Sequence, residues 1–224
     1  MGRRPPFRDV LAWPFMRIIE FTHPHEHRQF EVFRSMIHPH FGVSATVEIG
    51  EWLELVHRRG VKTTPAIVHL LARVANEIPQ LRRRIRGDTV VEHETVHPTF
   101  SVATDVADAF SFCHVPFDPD LKTFVDAATA TMGVMRGHPV FEDEPDRDDY
   151  LFMSALPWIS FTSVQHAMHY HPHDSVPRIT WGKFFEAGER TMMPLSLHAH
   201  HALVDGVHAG RFFEGVEAAA RSGG

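Results

Sequence analysis

The stretch that most constrains this chain is Met192-Met-Pro-Leu-Ser-Leu197, which runs without a break into His198-Ala-His-His-Ala-Leu-Val-Asp-Gly-Val-His-Ala-Gly-Arg-Phe-Phe213. The apolar half reads as the end of a strand, and Ala209 to Arg221 reads as a helix. A strand that passes directly into a helix places everything between them at one end of a sheet. His200, His201, Asp205 and Gly206 therefore share a junction, with a potential base, a carboxylate and a residue able to turn sharply. The spacing alone fits polar junction residues as well as it fits a catalytic group.

The rest of the chain alternates short β-branched runs with helical periods. Val43 to Ile49, Leu81 to Ile85, Thr89 to Glu92, Phe100 to Asp105, Ala109 to Val115, Tyr150 to Ala155, Ser163 to Tyr170, Ile179 to Phe185 and Thr191 to Ala199 read as strands. Glu51 to Arg59 and Ala66 to Ile78 carry apolar residues at helical spacing, the second opened by Thr64-Pro65 and stopped by Pro79. Asp120 to Met135 is a further helix, while Phe30, Phe33 and Ile37 fit either a helix face or the start of a strand. Strands and helices without strict βα alternation predict an α+β fold.

Charge and composition remove several function classes. A formal net charge of -6 argues against nucleic-acid binding, and the run Arg82-Arg-Arg-Ile-Arg86 lacks interleaved aromatics, so it reads as a solvated face. The acidic stretch Glu142 to Asp149 has no EF-hand spacing and also reads as solvated. No apolar run approaches the roughly 20 residues that span a bilayer, and no apolar segment follows the basic N-terminus as in a signal peptide. One cysteine, Cys113, excludes an intrachain disulfide and suits a reducing compartment. The expectation is one soluble, cytoplasmic domain over residues 1–224. The 19 histidines stand out, in clusters at 23, 25, 27, 38 and 40, at 166, 169, 171 and 173, and at 198, 200, 201 and 208.

His200-His-Ala-Leu-Val-Asp-Gly206 resembles the HHxxxDG signature of the chloramphenicol acetyltransferase family. Met153 to Phe161, Val96 to Val102 and His27 to Glu31 resemble other segments of that family in the same order, so the resemblance runs from about Trp13 to Arg221. It implies a two-layer sandwich, a mixed sheet packed by helices, assembled as a homotrimer with each active site at a subunit interface. It further implies acetyl-coenzyme A as co-substrate, reaching the site from the opposite face, and a small hydroxylated molecule as acceptor. His201 falls on the general base, Ser154 on the serine that holds the oxyanion, and Thr180 on the threonine that places a water there. Asp205 falls on a structural aspartate that pairs with an arginine.

The departures bear on the acceptor. On this alignment the arginine partner of Asp205 is replaced by Glu26, leaving Arg28 or a nearby histidine to supply the charge. Val32, Phe33, Ile37, Phe41, Ala103, His166 and Met168 fall on the acceptor pocket. Val32 and Ala103 replace phenylalanines, and His166 and Met168 replace aliphatic residues. That widened cavity supports a second expectation, a non-acetylating relative that binds b-type haem or a transition metal through His201, His166, His169 or Met168. Covalent haem attachment is excluded because no Cys-x-x-Cys-His occurs.

Overall fold

The computed structural model describes residues 16–106, 108–142, 144, 147–169 and 174–223. Tyr170, His171 and His173, named above, lie outside the described residues. Ten strands and five α-helices are present among the described residues. The main sheet has the order β2 (His40–Glu48), β10 (Arg190–His200), β8 (Arg178–Gly182), β7 (Tyr150–Leu156), β5 (His97–Ala103), β6 (Phe110–His114), with β9 (Phe185–Ala187) also paired to β10. Pairs β5–β7 and β7–β8 are parallel and the others antiparallel, so the sheet is mixed. A second sheet joins β1 (Met16–Ile19), β4 (Thr89–His93) and β3 (Arg83–Arg86).

Side chains alternate across the main sheet, so each register row shares one face. The row Cys113, Phe100, Met153, Ile179, Leu197, Val43 is apolar and faces the helices. Against it pack α2 (Gly50–Arg58), α3 (Thr63–Glu77), α4 (Leu121–Gly137) and α5 (Gly206–Ser222), all contributing to one core with Trp52, Leu70, Phe124 and Phe212 fully buried. Each such side chain contributes roughly 1.5–3 kcal/mol by leaving water. The next row, Ser154, Thr180, Ser196 and Ser44, points to the other face and is entirely hydroxylic.

That second face is crossed by residues 159–169. Lys183 N–H donates to the Ile159 carbonyl, and a Cβ built on Gly182 would sit 2.7 Å from that same oxygen. Only a glycine lets the segment lie this close to β8. Over residues 163–169, the described part of the stretch expected as a strand from Ser163 to Tyr170, no strand forms. Val164, His166 and Met168 are half-buried while Gln165, Ala167 and His169 are exposed, so the period of two survives. No strand of the described chain pairs with the segment, which is why an extended pattern does not become a strand.

Other expectations are also revised. The region of Phe30 and Phe33 is helical, in α1 (Pro24–Arg34), and α3 starts at Thr63 with Pro65 in its first turn. The expected strand from Ile179 to Phe185 divides into β8 and β9. The arginine run is not a solvated face: Arg84 is 0% and Arg86 6% exposed. Arg84 donates to the carbonyls of Leu81, Arg83, Asp148 and Tyr150, and burial pushes its guanidinium down to about 10. The acidic stretch is divided: Glu142 and Glu144 are exposed as expected, whereas Asp148 and Asp149 are not free in solvent. Asp148 takes two bonds from Arg86 at 2.9 and 2.6 Å and one from His93 at 2.8 Å, and Arg147 holds Asp149. Burial alone would raise Asp148, but the bonds from Arg86 and His93 outweigh it and hold the carboxyl well below the usual range.

Candidate active site

β10 ends at His200, three residues turn, and α5 opens at Gly206 with Asp205 as its N-cap. The Asp205 carboxylate accepts from the N–H groups of Val207 at 3.0 Å and His208 at 3.3 Å. Its own N–H donates to His208 Nδ1 at 3.2 Å, closing a reciprocal cap. Glu26 and Arg28 are both exposed in the first half of α1, and no arginine pairs with Asp205 among the described residues. The carboxylate is therefore held by the helix terminus and a neighbouring histidine rather than by an ion pair with arginine.

The same turn orients His201. Its backbone N–H donates to the Pro39 carbonyl at 2.7 Å, and its Nδ1 lies 3.1 Å from the Val204 carbonyl. A carbonyl oxygen only accepts, so Nδ1 carries a hydrogen, and in the neutral ring the lone pair is on Nε2. The ring is stacked on Phe33, with centroids 3.9 Å apart and planes at 20°, and lies 4.4 Å from the Phe41 ring. These contacts leave the half-buried imidazole little freedom to rotate.

Ser154 and Thr180 are direct register partners on the hydroxylic face, Thr180 fully buried and Ser154 half-buried. His166 reaches over this row, with Nε2 2.6 Å from Thr180 Oγ1. The sequence places His166 on a pocket wall and gives His40 and His198 only as members of histidine clusters, with no part in the site. His198 follows Ser196 on the same face of β10, its ring 6.3 Å from His166 and 6.1 Å from His40. Burial first, then the neighbouring His166, His40 and Arg178, pushes His198 down to about 4; burial and Arg178 also lower His166. Both shifts favour the neutral imidazole. His40 Nε2 donates to the Asp174 carbonyl at 2.5 Å, and Asp174 is ion-paired with Arg178. The alternation of Ser196, His198 and His200 was the available signal for this face.

Of the remaining pocket candidates, Val32 is 46% and Ile37 70% exposed, and Ala103 is exposed on β5. Within one chain no hydrogen bond or ring contact among the described residues joins any of them to His201, whose ring meets those of Phe33 and Phe41. His201 and the Ser154–Thr180 pair are likewise apart. Phe41 pairs with Ala199, whose side chain shares the helix-covered face with Leu197, whereas Ser154 and Thr180 project from the opposite face. The haem or metal constellation is not assembled either: His166 Nε2 is engaged by Thr180, His169 is exposed, and Met168 is half-buried on the same extended segment. Among the described residues no three His, Cys, Asp or Glu side chains could hold a metal ion.

On the helix side, a cleft of about 280 Å³ is lined by Thr63, Thr64, Ile67, Ala155, Trp181 and Lys183, among others. Ala155 and Trp181 immediately follow Ser154 and Thr180 and point the other way. The cleft thus lies through the sheet from the hydroxyl row.

The family model for chloramphenicol acetyltransferase matches residues 15–217. The chain belongs to that family. It is 26% identical over 199 residues to a chloramphenicol acetyltransferase of Klebsiella sp, covering 89% of this chain and 91% of the relative. It is 26% identical over 189 residues to chloramphenicol acetyltransferase 3 of Escherichia coli, covering 84% and 89%. A solved chloramphenicol acetyltransferase superposes with a TM-score of 0.78 at 24% identity, over 91% of this chain and 98% of that one. A dihydrolipoamide acetyltransferase from Azotobacter vinelandii shares the fold more distantly, with a TM-score of 0.61 at 19% identity over 96% of each chain. The α+β, mixed-sheet architecture is that of the family. No described helix is long and apolar enough to cross a membrane.

Proposed function

We propose that this protein is an acetyl-coenzyme A-dependent O-acetyltransferase whose general base is His201 and whose acceptor is a small hydroxylated molecule. The observation that carries the reading is the Nδ1–H bond to Val204 O, which in the neutral ring places the lone pair on Nε2, on an imidazole clamped by Phe33 and Phe41. Nε2 takes the proton of the acceptor hydroxyl as its oxygen attacks the thioester carbonyl carbon. The tetrahedral oxyanion accepts a hydrogen bond from Ser154, with Thr180 beside it. Collapse breaks the carbon–sulfur bond, giving the acetyl ester and a thiolate that recovers the proton from the imidazolium. A placed base of this kind supplies roughly 10²- to 10⁴-fold.

His201 and the Ser154–Thr180 pair point away from each other in one chain, which supports a homotrimer in which the imidazole of one copy meets the hydroxyl face of the next. The cleft beyond the sheet supports entry of coenzyme A from the helix side. Its Lys183 supplies a positive charge, and Thr63 and Thr64 stand at the start of α3, whose first N–H groups have no side-chain cap. Release of free thiol from acetyl-coenzyme A, measured with a panel of hydroxylated acceptors that begins with chloramphenicol, tests the reading. His201→Ala is expected to abolish release while sedimentation still gives a trimer. Retained turnover in that variant would refute the role of His201, and a monomeric wild-type protein would refute the shared site.

A further inference from the structure

The contact between His166 and Thr180 ties a histidine to a hydroxyl that has no other partner among the described residues. Thr180 is 0% exposed, and a buried O–H without an acceptor carries a desolvation penalty. Two arrangements satisfy a separation of 2.6 Å: the imidazole donates to the oxygen, or the hydroxyl donates to the imidazole. The first leaves the Thr180 hydrogen without an acceptor. The second satisfies it and leaves the hydrogen of the half-buried neutral ring on Nδ1.

We propose that His166 is a positioning residue for Thr180: its Nε2 accepts the hydroxyl hydrogen, so that the Thr180 oxygen turns its lone pairs toward the reacting centre. There they accept from an O–H of the acceptor or of a bridging water. This rests on the acetyltransferase reading for what that centre does, and on geometry alone for the hydrogen bond.

The segment that carries His166 is pinned on both sides. Ile159 is bonded to Lys183 and pressed on Gly182 at one end, and Asp174 is bonded to His40 and Arg178 at the other. Alternating exposure turns His166 inward, with Gln165 and Ala167 outward. The charged and titratable groups that face the ring are Arg178 from β8, His198 from β10 and, behind it, His40 from β2, with Asp174 opposing Arg178. Burial and the Arg178 guanidinium both disfavour an imidazolium, which could only donate and would turn the Thr180 hydrogen back toward the reacting centre. An aliphatic residue at 166 could line a pocket but could not orient the hydroxyl.

The test combines a spectroscopic and a kinetic arm on the intact protein. With ¹⁵N-labelled histidine at neutral pH, His166 is expected to show an unprotonated, hydrogen-bonded Nε2 whose resonance moves in Thr180→Val. With acetyl-coenzyme A and chloramphenicol as the probe acceptor, His166→Leu is expected to lower kcat roughly tenfold and leave KM for acetyl-coenzyme A unchanged. His166→Gln, whose amide oxygen can take the same hydrogen, is expected to restore kcat to within about threefold of wild type. The double variant H166L/T180V should fall no lower than Thr180→Val alone. A protonated Nε2 in the wild type, a resonance unmoved by Thr180→Val, or additive losses in the double variant would overturn the proposal. Wild-type protein that acetylates no acceptor counts against the acetyltransferase reading alone, and the resonances then decide the hydrogen bond by themselves.

Discussion

Substituting Asp205 separates two ways of holding a carboxylate at the head of α5. In the structure the side chain accepts from the N–H groups of Val207 and His208. Asp205→Ala leaves both donors without their partner and opens the reciprocal cap with His208, a loss of about 1–2 kcal/mol. For a chain of this length that lowers Tm by roughly 2–8 °C. Asp205→Asn keeps the accepting oxygen and loses only the attraction between a negative charge and the helix N-terminus, about 0.5 kcal/mol or roughly 1–2 °C. A carboxylate held by an arginine behaves differently, because the neutral amide then costs nearly as much as alanine. Thermal unfolding followed by circular dichroism at matched protein concentration distinguishes the two patterns. An asparagine variant as destabilised as the alanine variant would refute the capping account.

Three further outcomes follow from the buried polar groups. Burial pushes His114 and His198 down to about 4, so each folded-state pKa lies below the unfolded value near 6.5. Protonation therefore favours the unfolded chain, and urea midpoints should decline as pH falls from about 6.5 toward 4; His198→Gln should flatten that decline, and an unchanged slope would count against it. Asp148 is also depressed, so its contribution is complete above the unfolded carboxylate value of about 3.9 and is lost as pH falls toward the folded value. Asp148→Asn should lower the urea midpoint at pH 7 and weaken its dependence on pH below about 5; a variant that parallels the wild type at every pH would refute the pairing with Arg86 and His93. Gly182→Ala would place a Cβ 2.7 Å from the Ile159 carbonyl oxygen, a backbone atom that cannot swing aside. The expected cost is about 1–3 kcal/mol, with a shift of the His166 imidazole resonances, and a variant as stable as wild type with unmoved resonances would mean the segment lies elsewhere.

Local pattern carried much of this protein. The apolar strand, the histidine junction and the closing helix near the C-terminus are all present where residues 192–221 predict them, because strand and helix periods are properties of neighbouring residues. The helix expected from Asp120 to Met135 is α4, with Asp120 as its N-cap. The turn that carries His201 was legible through its motif, and alternation along the strand was the signal that Ser196 and His198 share a face. What the chain order could not express was which distant groups meet. Arg84 and Arg86 look solvated until residues 148–150, more than 60 positions away, bring them carbonyls and a carboxylate. Residues 163–169 have the rhythm of a strand, but a strand needs a partner strand's N–H and C=O groups, and among the described residues no strand pairs with them. The same holds for His166 and Thr180, 14 residues apart on different elements. Only the fold of the segment over β8 makes them a pair, since a hydrogen bond depends on distance in space and leaves no trace in spacing along the chain.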